Sequence, residues 1–139
     1  MSPAASIDLI LEGGRTVRPD GVYREDVAIR DGRIAALFAD GTRSPRARKR
    51  IDCRGKFILP GMIDAHVHMG RYGQDFAADC RTESVAAATG GVTTLLVFLI
   101  EPGSNREAIA RRIREIEAGS RIDMGIHAVI MSEEHLTEI

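Results

Sequence analysis

The sequence predicts an α/β chain: a small β domain over residues 1–56, then the first three strand–helix units of an incomplete (β/α)8 barrel over residues 57–139. Two observations carry this. Up to Leu59, short apolar runs alternate with closely spaced turns; past Pro60-Gly61 the rhythm becomes strand, helix, strand, helix, strand. A closed barrel takes about 250 residues, so residues 57–139 supply roughly a third of one, and the chain reads as the N-terminal portion of something larger. The competing reading is a complete small α/β domain.

In the first stretch, Ile7 to Leu11 is followed by Gly13-Gly14, and Thr16-Val17 leads into Pro19-Asp20-Gly21. Val27-Ala28-Ile29 and Ile34 to Phe38 flank Asp31-Gly32, the pairing that a type I′ hairpin turn prefers. Ile51 and Phe57-Ile58-Leu59 continue the pattern across Arg54-Gly55, and antiparallel pairing is expected throughout. Arg43, Arg46, Arg48, Lys49 and Arg50, interrupted by Pro45, read as a solvated loop because no aromatic residue is interleaved.

In the second stretch, Ile63 to Met69 reads as a strand and Asp75 to Thr89 as a helix, with Phe76, Cys80, Ser84, Ala87 and Ala88 on one face. Gly90-Gly91 ends it. Val92 to Ile100 is apolar almost throughout, as in a parallel strand covered on both faces. Ser104 caps a second helix, with Glu107 completing a capping box. Ile109, Ile113 and Ile116 form its buried stripe, Arg111, Arg112 and Arg114 face water, and Gly119 ends it. Met124 to Met131 is a third strand, and Ser132-Glu133-Glu134 opens a third helix.

Composition narrows the function. With 19 basic and 20 acidic residues the net charge is −1, which gives no electrostatic reason to expect nucleic acid or an anionic membrane as partner. The longest apolar run, Leu95 to Ile100, is too short to span a bilayer. Cys53 and Cys80 make no disulfide framework, and the first residues carry no signal-peptide pattern; a cytoplasmic protein is expected.

The chemistry-bearing segment is Pro60-Gly61-Met62-Ile63-Asp64-Ala65-His66-Val67-His68. Side chains two apart on a strand share a face, so Asp64, His66 and His68 are expected to form one polar row opposite Ile63, Ala65 and Val67. Two neighbouring imidazoles, His66 and His68, can share a divalent cation, with Asp64 as an orienting partner; paired, hydrogen-bonded histidines are the alternative. The C-terminal end of a first barrel strand is where such folds build active sites. His127 reads as a buried, hydrogen-bonded histidine and His135 as exposed. Arg71 and Tyr72 read as a solvated loop, and Glu101-Pro102-Gly103 as a strand-to-helix turn.

The whole ordered set resembles the amidohydrolase superfamily, in particular its cyclic-amidase branch of dihydropyrimidinases, hydantoinases, allantoinases and dihydroorotases. It comprises Asp31-Gly32-Arg33-Ile34, the Pro-Gly-x-Ile-Asp-x-His-x-His run, Gly90-Gly91-Val92-Thr93-Thr94, and Asp123-Met124-Gly125-Ile126-His127. The resemblance implies a metal-dependent (β/α)8 (TIM) barrel beside a small β-sandwich domain, two divalent ions, usually zinc, at its mouth, and a homotetramer. It makes His66 and His68 the first-strand metal ligands and a small cyclic amide or imide, such as a dihydropyrimidine or hydantoin, the substrate. It also implies a carboxylated lysine bridging the metals, two more histidines, and an aspartate as general acid and base.

This chain departs from that pattern. Its lysines are Lys49 and Lys56, both ahead of the expected barrel, so no catalytic residue is expected within it and the 139-residue chain alone is expected to be inactive. Gly70 stands where the dihydroorotase pattern His-x-His-x-Arg has its arginine, with Arg71 one residue later and so on the other face; this weighs against dihydroorotase, and an allantoinase- or dihydroorotase-like amidohydrolase is the alternative to the dihydropyrimidinase or hydantoinase reading. A non-catalytic scaffold relative is the reading of a different class, and retention of both histidines weighs against it.

Overall fold

The computed structural model describes residues 7–70 and 74–138, which form two compact units meeting between Pro60 and Gly61. The first holds β1 (Ile7–Arg18), β2 (Gly21–Arg30), β3 (Arg33–Ala39), β4 (Ala47–Asp52) and β5 (Phe57–Ile58). They make one sheet in the order β3-β2-β1-β4, with β5 also on β1. The Asp31-Gly32 hairpin forms as its chemistry requires: φ is 51° at Asp31 and 70° at Gly32, the positive pair of a type I′ turn. The Asp31 N–H donates to Asp8 Oδ2 at 2.8 Å, tying the turn to the start of β1. Ile10, Val27, Ala28 and Cys53 are buried.

Two expectations fail in this unit. β4 and β5 lie parallel to β1, not antiparallel, because the chain leaves β3 on one side of β1 and returns on the other. Arg48, Lys49 and Arg50 are strand residues rather than loop residues. Strand β4 is the sheet's edge, and charged side chains there discourage pairing with another chain. Arg50 is fixed in place, donating to Glu12 Oε1 at 2.9 Å and to the Pro45 carbonyl at 2.6 Å. Among the described residues of this unit the strands form one sheet, and the second sheet that a sandwich needs is not seen within it.

The second unit holds β6 (Met62–Val67), α1 (Phe76–Thr89), β7 (Val92–Leu99), α2 (Asn105–Gly119), β8 (Asp123–Ala128) and α3 (Glu133–Leu136). The strands pair in parallel in the order β6-β7-β8. Asp75 caps α1, its side chain accepting from the Ala77 N–H, and Ser104 caps α2, accepting from the Glu107 N–H. Phe76 and Cys80 of α1 pack with Met69, Leu95 and Val97, and Ile116 of α2 and Met124 of β8 join the same cluster. Both long helices therefore cover one face of the sheet. A doubly wound sheet carries helices on both; helices on one side only are what a segment of barrel wall requires.

The helix faces need one correction. Arg112 does not face water: its guanidinium pairs with Glu101 and Glu115 and lies 4.3 Å from the Phe76 ring centre. Ile113 is exposed, and Ala108 and Gly119 take the buried line instead. Gly119 lets α2 approach α1, since a Cβ there would sit 3.1 Å from Arg81 Cγ and 3.4 Å from Cys80 Cβ. The open face of β7 is also only partly covered among the described residues, where burial on both faces was expected.

Candidate metal centre

The site begins at the entry to β6. A Cβ on Gly61 would lie 2.0 Å from Thr93 Oγ1 and 2.6 Å from Thr93 Cβ, so only glycine lets this strand start against β7. The register then slips: Asp64 pairs with Leu95 but Val67 pairs with Val97, three steps against two. This is a β-bulge, which re-aims the side chains that follow it.

The bulge decides which face each residue takes. Val67 and the buried Met69 point to the helix side with Val97. His66 and His68 consequently point to the open face, where Phe98 of β7 and His127 of β8 also lie. Asp64, opposite Leu95, falls on the helix side, so the single polar row expected from the spacing is broken between positions 64 and 66. Its carboxylate still serves the pair: Asp64 Oδ1 accepts from the His66 main-chain N–H at 3.1 Å. It thereby holds the backbone of the bulge from which His66 projects.

The two imidazoles converge. His66 Nε2 and His68 Nε2 are 3.3 Å apart, with ring centres at 5.1 Å and planes at 75°. Two ligands bound at 2.0–2.1 Å to one tetrahedral ion are separated by about 3.3–3.4 Å. The 3.3 Å separation matches that geometry, and in the absence of an ion it is also within hydrogen-bonding distance, one ring donating and the other accepting according to tautomer. The donor set thus fits two corners of a zinc-type site. Among the described residues no group of three His, Cys, Asp or Glu side chains surrounds one point.

The other candidates fall elsewhere. His127 is exposed, not buried, and stacks at 5.0 Å on Phe98. Its strand face is the one the helices leave open. His135 is buried rather than exposed, at 2%: its Nδ1 accepts from the Met131 N–H at 3.0 Å and its Nε2 donates to the Gly103 carbonyl at 2.7 Å. The short helix α3 folds back on the loop before α2, and this ring joins them. Glu101 is a structural turn residue, gripped by Arg111 and Arg112. Arg71 and Tyr72 lie outside the described residues. Both cysteines are free and buried, and burial pushes the Cys80 thiol up to about 11. Phe98 was invisible to pattern reasoning, being one apolar residue in an apolar run; only the register reveals that it touches three imidazoles.

The fold and site together define a wall of parallel strands, helices on one side and a candidate metal pair on the other. No family model matches the chain, but individual relatives do. It is 36% identical to the D-hydantoinase of Streptomyces coelicolor over 94% of its own length and 30% of the relative's. It is 38% identical to a dihydroorotase of Methanothermobacter thermautotrophicus over 87% of this chain and 27% of that one, and 40% identical to an allantoinase of Solibacter usitatus over 86% and 26%. A solved D-hydantoinase structure superposes with a TM-score of 0.81 at 30% identity, covering 95% of this chain and 30% of the other. The L-hydantoinase (dihydropyrimidinase) of Arthrobacter aurescens gives 0.77 at 29% identity, covering 88% and 28%. The chain belongs to the cyclic-amidase branch of the amidohydrolase superfamily, and spans about 30% of the length of these relatives, in their N-terminal part.

Proposed function

We propose that this chain is the N-terminal part of a metal-dependent hydrolase that opens a C–N bond in a cyclic amide or imide, such as a hydantoin or a dihydropyrimidine. The observation that carries the reading is the Nε2 pair, 3.3 Å apart, at the C-terminal end of the first parallel strand of a hydantoinase relative. His66 and His68 would hold the ion, with zinc suited to imidazole donors. When bound, a divalent ion lowers the pKa of a water and polarises the amide carbonyl.

The chain's own residues prepare that site. Asp64 fixes the main chain at His66, and Met69, buried on the opposite face, anchors the strand end so that His68 points outward. Catalytic zinc takes three protein ligands, and two are offered here. Lys49 and Lys56 both lie in the first unit, and neither is assigned a role at the site.

The test is a chimera in which this chain replaces the matching N-terminal part of the S. coelicolor D-hydantoinase. Hydantoin ring opening should be retained, and should vanish with His66→Ala or His68→Ala. A chimera that keeps full activity with both histidines replaced would overturn the assignment.

A further inference from the structure

This inference rests on reading His66 and His68 as an ion-binding pair, and concerns what holds them converged. Both rings are exposed and stand on the outer strand of the three-stranded sheet. The ring of Phe98, on the neighbouring strand and the same face, meets both: 4.4 Å from the centre of His66 at 38°, and 5.5 Å from His68 at 37°. On its other flank it meets His127, 5.0 Å away at 35°. One phenyl ring thus supports three imidazoles at nearly the same tilt.

We propose that Phe98 is a positioning residue: its ring is the platform that keeps His66 and His68 converged for a cation, and the spacer that keeps His127 apart from them. Phenylalanine has no donor atom, so it acts through geometry alone. Ordering two exposed side chains on chelation costs rotamer freedom, and a surface that orders them beforehand removes that cost. Rings whose centres lie about 4.5–7 Å apart gain ring–ring attraction beyond the area they bury, which an aliphatic side chain of equal bulk does not supply. The spacer role follows from register: Phe98 pairs with His127 on one side and contacts the β6 imidazoles on the other, and the three histidines do not converge on one point.

The test is cobalt(II) titration of the full chain, reading the ligand-field spectrum and the affinity, with circular dichroism to confirm folding. Phe98→Leu, which keeps apolar bulk without a ring, should weaken binding about tenfold. Phe98→Tyr should bind close to the unsubstituted protein, and His127→Ala should leave affinity unchanged. Should the leucine variant fail to fold, Phe98→Met, whose flexible chain fills the same gap, should show the same loss. Unchanged affinity in Phe98→Leu or Phe98→Met, an equal loss in Phe98→Tyr, or a loss in His127→Ala matching that of His66→Ala would each overturn the proposal. His66→Ala itself tests the pair: if it binds cobalt undiminished, the metal reading fails, whereas its loss alongside an unaffected Phe98→Leu refutes only the platform.

Discussion

The two faces of the β6-β7-β8 sheet are made from alternate residues of the same strands, yet they do different work. Toward the helices, Leu95, Val97 and Leu99 are sealed at 2–5% exposure. Toward the open face stand Phe98 and three histidines, His66, His68 and His127, all three exposed. The sealed face supplies stability through apolar area removed from water. The open face, free of that duty, carries polar rings whose desolvation would be costly without partners.

Substitution should separate the faces cleanly. Leu95→Ala, in the middle of the sealed cluster, should cost about 2–5 kcal/mol of folding free energy in urea titration, while Phe98→Leu on the open face should cost less than about 1.5 kcal/mol. Equal costs would mean that the open face is also a packed core. Gly61→Ala should come next, at about 1–3 kcal/mol from overpacking, because Thr93 occupies the space its Cβ needs. Adding Thr93→Gly should recover part of that loss; no recovery would place the strain elsewhere.

Smaller effects are expected from titration. The Cys80 thiol, fully buried, is raised by desolvation from 9.0 to about 11. Its folded pKa is the higher one, so its contribution to stability is intact below about pH 9 and lost as pH rises toward 11. Iodoacetamide should therefore label Cys80 in the folded chain far more slowly at pH 9 than in urea; equal rates would contradict its burial. The smallest effect lies in the first unit, where hydrogen bonds from Arg54 hold Asp52 at about 2 against an ordinary 3.8. This pKa is depressed, so the contribution is present above about pH 4 and lost as pH falls toward 2. Both side chains are exposed, and Asp52→Asn should barely move the neutral-pH melting temperature.

Local chemistry was legible in the sequence, and pairing partners were not. Asp31-Gly32, the Ser104 cap and the Gly90-Gly91 stop are each set by backbone requirements within a few residues, and each forms as read. The two histidines were found by spacing, because positions 66 and 68 keep the two-residue rhythm and share the open face. Asp64 lies before the bulge, and a single inserted residue in β6 moved it to the other face. The strand nature of Arg48 to Arg50 depends on β1 lying beside them, and the burial of His135 on a carbonyl 32 residues away. Arg112 was misplaced for the same reason: its partners Glu101 and Phe76 come from a different strand end and a different helix. None of these contacts leaves a periodic trace.

The central claim is that His66 and His68 share a cation, and X-ray absorption on the zinc-loaded chain tests it most directly. The account predicts two imidazole scatterers at about 2.0–2.1 Å per zinc, one in His66→Ala and one in His68→Ala. Saturable zinc binding with no imidazole in its shell, or a spectrum unchanged when both histidines are replaced, would contradict it.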